Sequence, residues 1–326
     1  MASRKRLSVE ERVELLDPAA NAPDAPGSAE LIAAGLADKS WLVVAHAAEI
    51  VARHQLERHR AALIDVWPRF ADGSHKSDPG CRAKLAALTA LDRLELLEPD
   101  PFLPATRYRQ LEPVFGGKVE TAGPVRVRAV SALLRMHHSD AALIAGELLA
   151  ESERDVRAGV AQALGYYGVP GAEALLAHRL VADEETAVLS ECASGLLRLN
   201  GDYALPRLSA WLEHEDVARR EVASVALGQH EDVRAVNALI EWLERCALEP
   251  DIELAVQALG LSRQPRAREF LLEQVAQGSR ARARAAVRAL SVHRYDTQLH
   301  ERVRGAAQAS AHDDLAALVA QAFSER

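Results

Sequence analysis

The sequence predicts an all-α fold built from stacked helix pairs, and three observations point to it. Hydrophobic residues make up 49% of the 326-residue chain, yet aromatic residues make up only 4%, and Ala and Leu dominate. Small, unbranched apolar side chains favour closely packed helices over sheets. A short Ala-Leu-Gly motif also recurs at nearly constant spacing, and the residues around each copy have the pattern of two amphipathic helices.

The recurring motif sets the period of the fold. It or a close variant begins at seven positions, separated by 42, 31, 32, 31, 32 and 31 residues: Ala90, Ala132, Ala163, Gly195, Ala226, Ala258 and Ala289. A period this regular indicates supersecondary units that each contact only their neighbours. The single long step marks one irregular unit.

Each unit contains two predicted helices. In the first, "DVRAGVAQALGYYG", Asp155 is a natural N-cap, and Val156, Val160 and Leu164 form an apolar stripe at i, i+4 and i+8. Gly165 or Gly168 would end it. The second helix is predicted over residues 171–182. Neither helix buries its stripe alone, so the pairs must stack, and a small residue at the recurring position lets neighbouring helices approach closely.

The segment "DVRAGVAQALG" resembles the first helix of a HEAT repeat, in the short bacterial form also found in phycobilin-lyase-like proteins. The resemblance covers residues 124–312 well and residues 39–98 more loosely. It implies a right-handed α-solenoid that presents a long surface to a protein partner. It implies no particular reaction.

The predicted organisation has two parts. Residues 1–38 form an N-terminal tail with short helices, and residues 39–326 form the repeat solenoid. Within the solenoid, residues 99–123 form an insertion loop and residues 313–325 a C-terminal capping helix.

The insertion coincides with the long repeat step. It contains Pro99, Pro101, Pro104 and Pro113, which prevent a regular helix through most of it. We therefore expect it to replace or distort one second helix. Because the first helices of neighbouring units run parallel, residues 116–121 should lie beside the helix start at residues 78–84.

This edge is the predicted contact site, and it combines charged, polar and apolar residues. Asp78 would cap the helix, and Cys81 would be its third residue, where the helix dipole and Lys84 both favour a thiolate. Three functions stay open: a protein-binding surface, a reactive-thiol notch of an enzyme or enzyme accessory factor, or a small residue that only fills a helix interface. The candidate contact residues here are Asp78, Cys81, Lys84, Tyr108, Arg109, Phe115, Lys118, Glu120 and Thr121.

A second candidate surface is basic. Residues 140–260 hold 22 Asp and Glu against 9 Arg, whereas residues 261–304 hold 10 Arg and 4 Asp and Glu. Arg280, Arg284 and Arg288 follow i, i+4, i+8 spacing and share one helix face. They could be a solvated face or could bind an acidic peptide or a nucleic-acid backbone. The net charge of −8 disfavours binding to nucleic acid.

Composition and cysteine spacing narrow the class of protein to which this chain could belong. The three cysteines are far apart and form no disulfide framework or CxxC site, and no apolar run has signal-peptide or membrane-spanning length. We expect a cytoplasmic protein with no metal site, cofactor or catalytic set. The leading hypothesis is a non-enzymatic scaffold for a protein partner of unknown identity; nucleic-acid binding is the less favoured alternative.

Overall fold

The structure is a computed structural model that describes residues 7–71 and 75–324. The chain divides into two compact units, Met1–Gly171 and Ala172–Arg326. Each unit is described by itself.

The first unit consists of helices interrupted by one small sheet. Its elements in chain order are α1 (Val9–Glu14), α2 (Asp17–Asn21), α3 (Ser28–Leu36), α4 (Trp41–His54), α5 (Arg60–Ile64), α6 (Val66–Ala71), α7 (Arg82–Arg93), β1 (Leu111–Val114), β2 (Gly117–Glu120), α8 (Gly123–Arg135), α9 (Ala141–Leu149) and α10 (Arg154–Tyr167).

The second unit is helical throughout its described residues, apart from turns. Its helices are α11 (Ala172–Ala182), α12 (Thr186–Leu199), α13 (Gly201–Trp211), α14 (Val217–Gln229), α15 (Val233–Arg245), α16 (Glu249–Leu261), α17 (Pro265–Gln277), α18 (Arg280–Leu290), α19 (Thr297–Ala309) and α20 (Leu315–Ala322).

Each unit is a stack of helix pairs. In the first unit, α4, α7, α8 and α10 are successive neighbours, which makes them the first helices of the pairs. The second unit has a layer of first helices of its own, made by α12, α14, α16, α18 and α20. Its second helices, α13, α15, α17 and α19, pack behind that layer. The predicted all-α fold of stacked helix pairs is confirmed.

The recurring small residue is required where first helices pass each other. A Cβ added at Gly228 of α14 would lie 2.3 Å from the backbone oxygen of Ala258 in α16. At Gly260 it would lie 2.9 Å from the Cβ of Ala289. Both glycines end a copy of the Ala-Leu-Gly motif. The motif therefore marks the positions of closest helix approach, as the sequence indicates.

The insertion replaces a second helix between α7 and α8. No α-helix forms over residues 94–122, all of which are described; the chain instead makes a short 3-10 helix (Pro104–Arg107) and the antiparallel β1–β2 hairpin. The sequence indicated the missing helix but not the hairpin. The two strands pair from Leu111 opposite Glu120 to Val114 opposite Gly117.

Two helix starts differ from the predictions. Helix α7 begins at Arg82 rather than at Pro79, because Gly80 and Cys81 take left-handed backbone angles, with φ of 67° and 55°. Helix α10 has Glu153 rather than Asp155 at its N-cap. Helix α10 does end at Gly168, which has a φ of 63°.

The ends of the chain are only partly described. The Pro/Ala-rich stretch after α1 contains the short helix α2. The predicted capping helix corresponds to α20, and its last predicted residue, Glu325, lies outside the described residues, as do residues 1–6. None of the described helices combines the length and apolar character that a membrane crossing needs.

Gly228→Ala tests the close approach of first helices. We expect it to lower the free energy of unfolding by about 2 kcal/mol, because the new methyl group meets backbone that cannot move aside as a side chain can. Urea unfolding followed by circular dichroism measures the change.

Gly305→Ala in α19 is the matched control, since its added Cβ meets nothing within 4 Å. It should stabilise the protein by about 0.5–1 kcal/mol, through helix propensity alone. Equal effects of the two substitutions would contradict the packing explanation.

Candidate functional site

A buried ion pair lies at the base of the insertion. Lys84 Nζ is 2.9 Å from Asp78 Oδ2, and both side chains are 0% exposed. The Asp78 carboxylate also accepts hydrogen bonds from the backbone N–H groups of Ala83 and Lys84, at 2.8 and 3.2 Å. Asp78 thus caps α7, although it lies three residues before the N-cap position.

Gln110 connects this pair to the insertion. Lys84 Nζ donates to Gln110 Oε1 at 3.1 Å, and Gln110 Nε2 donates to the Asp78 carbonyl at 2.9 Å. Tyr108 Oη also donates to Gln110 Oε1, and Lys84 Nζ lies 5.1 Å from the centre of the Tyr108 ring. The network holds the chain leading into β1 against the start of α7.

Glu112 and Thr121 complete the contact between the two segments. Glu112 Oε1 accepts hydrogen bonds from the Gly80 N–H at 2.6 Å and from the Thr121 hydroxyl at 2.8 Å. Burial opposes the charge of Glu112, but these hydrogen bonds and one from Gln110 hold its pKa below the usual value. Thr121, the last residue of the predicted 116–121 segment, therefore lies beside the start of α7, and Glu112 rather than the rest of that segment completes the contact.

Cys81 lies buried at the base of the insertion. Its side chain is buried, with Sγ 3.8 Å from Thr121 Oγ1. Burial raises the pKa of Cys81 to about 11, although Lys84 acts in the opposite direction. Two features that favoured the thiolate alternative from sequence differ in the structure: α7 begins after Cys81, and Lys84 is paired with Asp78.

A second buried cation holds the other side of the insertion. Arg126 of α8 is fully buried and lies 2.7 Å from Glu120 and 2.8 Å from Glu151. It also donates to the Tyr108 carbonyl at 3.0 Å, and Arg109 pairs with Glu151 at 2.7 Å. Burial opposes the charge of Glu120, but hydrogen bonds led by that from Arg126 keep its pKa below the usual value.

Three residues that hold the site were not among the candidates from sequence: Gln110, Glu112 and Arg126. Arg126 had a detectable signal, because it lies between Val125 and Ala129 on the buried side of α8. An arginine within an apolar stripe predicts a buried partner of opposite charge. Gln110 and Glu112 had no such signal, since the hairpin itself was not predicted.

The outer part of the hairpin is apolar and exposed. Phe115 at its tip is fully exposed, and Leu111, Val114 and Val119 are each about half exposed. Gly116, with a φ of 87°, allows the two-residue turn. Lys118 is also exposed.

The hairpin edges are blocked against further strands. Thr121 N–H bonds to the Gln110 carbonyl, so the alternation of an antiparallel ladder turns the backbone groups of Pro113 and Lys118 outward. Proline offers no N–H there, and an edge lysine disfavours strand addition. Side chains rather than backbone are therefore available for recognition.

The candidate contact residues thus divide by burial. Asp78, Cys81 and Lys84 are buried and position the insertion. Glu120 is nearly buried, and Tyr108 and Thr121 are half-buried within the network. Arg109, Phe115 and Lys118 are exposed.

The three C-terminal candidates lie in the second unit and form ion pairs. Arg280 is 3.2 Å from Asp314, Arg284 pairs with the same carboxylate, and Arg288 pairs with Glu253 of α16. These pairs reduce the charge that the helix face would offer to an anionic partner. No group of three His, Cys, Asp or Glu in residues 7–71 and 75–324 could hold a metal ion.

Comparisons with known proteins show no family for this chain. No family model matches the chain, and no curated protein matches it. Among solved structures, the chain is similar to the complex of CpcE and CpcF of phycocyanin lyase from Nostoc sp. PCC7120, at 18% identity over 76% of this chain and 93% of that chain, with a TM-score of 0.41. It is also similar to an engineered protein, at 13% identity over 96% of this chain and 93% of that one, with a TM-score of 0.41. Neither similarity carries information on function.

Lys84→Met tests the buried ion pair. We expect a loss of about 3 kcal/mol in the free energy of unfolding, because Asp78 would keep a buried charge without its partner. Urea unfolding at neutral pH measures it. The double variant Asp78→Asn/Lys84→Met should recover part of the loss, and a double variant as unstable as the sum of the two single variants would contradict the pairing.

Glu120→Gln tests the Arg126 contact through pH. The folded-state pKa of Glu120 is lowered, so its contribution to stability is present above its unfolded value of about 4.3 and is lost as pH falls through the folded value. We expect the variant to have a lower free energy of unfolding than the wild type at pH 7. At pH 3.5 the difference between the two free energies should be smaller. A difference that stays constant between these pH values in urea unfolding would contradict the proposed contact.

Proposed function

We propose that this protein is a non-enzymatic interaction module that binds a protein partner through the β1–β2 hairpin. The observation that carries the proposal is an apolar, fully exposed hairpin tip at Phe115 on a base held by two buried ionic contacts. Exposed aromatic side chains of this kind are typical anchors of protein interfaces.

The energetics favour binding over a purely structural role. Phe115, Leu111, Val114 and Val119 expose apolar surface that contributes nothing to the core of the first unit. Covering such surface with a partner is favourable at roughly 25 cal/mol per Å². The hairpin tip is therefore best explained by a partner that covers it.

The anchored base supports the same proposal. Because Gln110 and Glu112 fix the strands to the start of α7, little backbone freedom is left to lose on binding. The exposed Lys118 adds a positive charge close to the apolar tip. An enzyme that uses Cys81 is not supported, since this thiol is buried with a raised pKa.

Phe115→Ser tests the hairpin contact. We expect it to reduce the affinity for the partner at least tenfold, which corresponds to the loss of about 1.4 kcal/mol from one anchor. Affinity capture from the native cell, followed by quantitative mass spectrometry, compares the variant with the wild type. The variant should unfold at the wild-type temperature, because Phe115 makes no buried contact.

Leu97→Ser is the matched control, because Leu97 is also an exposed apolar residue of the first unit but lies outside the hairpin. It should capture the same partner as the wild type. The proposal fails if no specific partner is captured, or if the two variants capture it equally well.

A further inference from the structure

The first unit has a groove along the exposed faces of α4, α7, α8 and α10. One cavity of about 550 Å³ lies between α4 and α7, and another of about 610 Å³ lies over α7, α8 and α10. Leu85 and Thr89 of α7 line both cavities, so the two are continuous. The groove crosses four successive first helices.

The floor of the groove is apolar. Ala45, Leu85, Val127 and Ala163 line it. Gly159 is also part of the floor, and a Cβ there would lie 2.7 Å from Val127 Cγ1. The close approach of α8 and α10 therefore leaves room for a chain above them.

The half of the groove between α4 and α7 is basic. Arg53, Arg82 and Arg93 line it, and within residues 7–71 and 75–324 none of the three forms an ion pair. The Arg82 guanidinium lies 5.2 Å from the centre of the Trp41 ring. Glu49 is the one acidic residue among those that line this half.

The other half, over α8 and α10, is lined mainly by acidic side chains, each of which has an arginine nearby. Glu120 is paired with Arg126, Glu153 lies 3.9 Å from Arg126, and the exposed Asp155 lies 3.3 Å from Arg154. The arginine that lines this half, Arg128, is 3.0 Å from the buried carboxylate of Asp92. The lining therefore changes from unpaired arginines to exposed and partly paired carboxylates along the groove.

We propose that this groove binds an extended segment of the partner protein, with acidic residues over Arg53, Arg82 and Arg93, an apolar middle, and basic residues at the other end. Four helices about 9 Å apart span about 27 Å, the length of about eight extended residues. The proposal rests on the proposed binding function and deepens it, but it uses no side chain of the hairpin tip.

The charge pattern favours a polypeptide over a nucleic acid. A nucleic-acid backbone carries one sign of charge along its whole length, so its phosphates would meet Glu153 and Asp155 in the acidic half. A peptide can change sign along its sequence and match both halves. Arginine also pairs with carboxylates in a bidentate fashion.

A defined peptide tests the groove without knowledge of the natural partner. The probe is a fluorescein-labelled peptide of three glutamates, a Leu-Ala-Leu middle and three lysines, and its binding to the full chain is followed by fluorescence anisotropy at low salt. A control peptide has the same composition with the glutamates and lysines alternating. We expect the control to bind at least tenfold more weakly, because its charges cannot match both halves at once.

Substitutions assign the binding to the groove. Arg82→Gln/Arg93→Gln should weaken binding of the block peptide about tenfold, whereas Arg245→Gln, an exposed arginine of the second unit, should leave it unchanged. Arg53→Gln is the substitute if the double variant is not folded by circular dichroism. The groove proposal is overturned if the block peptide does not bind, if the two peptides bind equally, if the groove arginines have no effect, or if a single-stranded oligonucleotide displaces the peptide.

Phe115→Ser separates the two proposals. It should bind the block peptide as the wild type does, because Phe115 does not line the groove. If peptide binding depends on the groove arginines while partner capture is insensitive to Phe115→Ser, the hairpin proposal fails alone. If capture depends on Phe115 while the peptide does not bind, the groove proposal fails alone.

Discussion

The close approach of neighbouring first helices is the constraint on which the rest of this structure depends. In the second unit, Gly228 and Gly260 leave no room for a side chain against the helix that follows. In the first unit, Gly159 has the same relation to Val127 of α8. Within each unit, helices this close form a layer, and in the first unit that layer provides the floor of the groove and the surface against which the insertion is held.

The insertion is held by buried ionic contacts, where a regular repeat would use the apolar stripe of a second helix. A second helix would cover α7 and α8 with apolar side chains, whereas here Lys84 and Arg126 hold the insertion through Asp78, Glu120 and Gln110. Ionic contacts of this kind contribute little net stability, but they fix the positions of their partners. Displacing one partner would leave the other as an uncompensated buried charge, which is strongly destabilising. The result is a short hairpin whose position is fixed although almost none of its outer surface is buried.

The ion pairs show which arginines already have an acidic partner and which are left to bind another molecule. The arginines of α18 were candidates from sequence because they share a helix face, yet Arg280 and Arg284 are paired with Asp314 and Arg288 with Glu253. Two carboxylates face three arginines, so the pairs reduce the positive charge of this face without cancelling it. The sequence does not predict that the arginines of the groove lie together, since Arg53 and Arg82 are 29 residues apart on different helices. Only their common cavity shows that unpaired positive charge is concentrated there.

The sequence by itself determined the helix pairs, their period and the place of the irregular unit, because these features follow from local periodicity and from prolines that cannot continue a helix. Tertiary structure alone decided which residues of that unit face inward. Left-handed angles at Gly80 and Cys81 delay the start of α7, so the thiol becomes buried, with a raised pKa, and Lys84 turns toward Asp78. Burial and pairing depend on neighbours 26 to 40 residues away, such as Gln110 and Thr121, and no local pattern records such contacts.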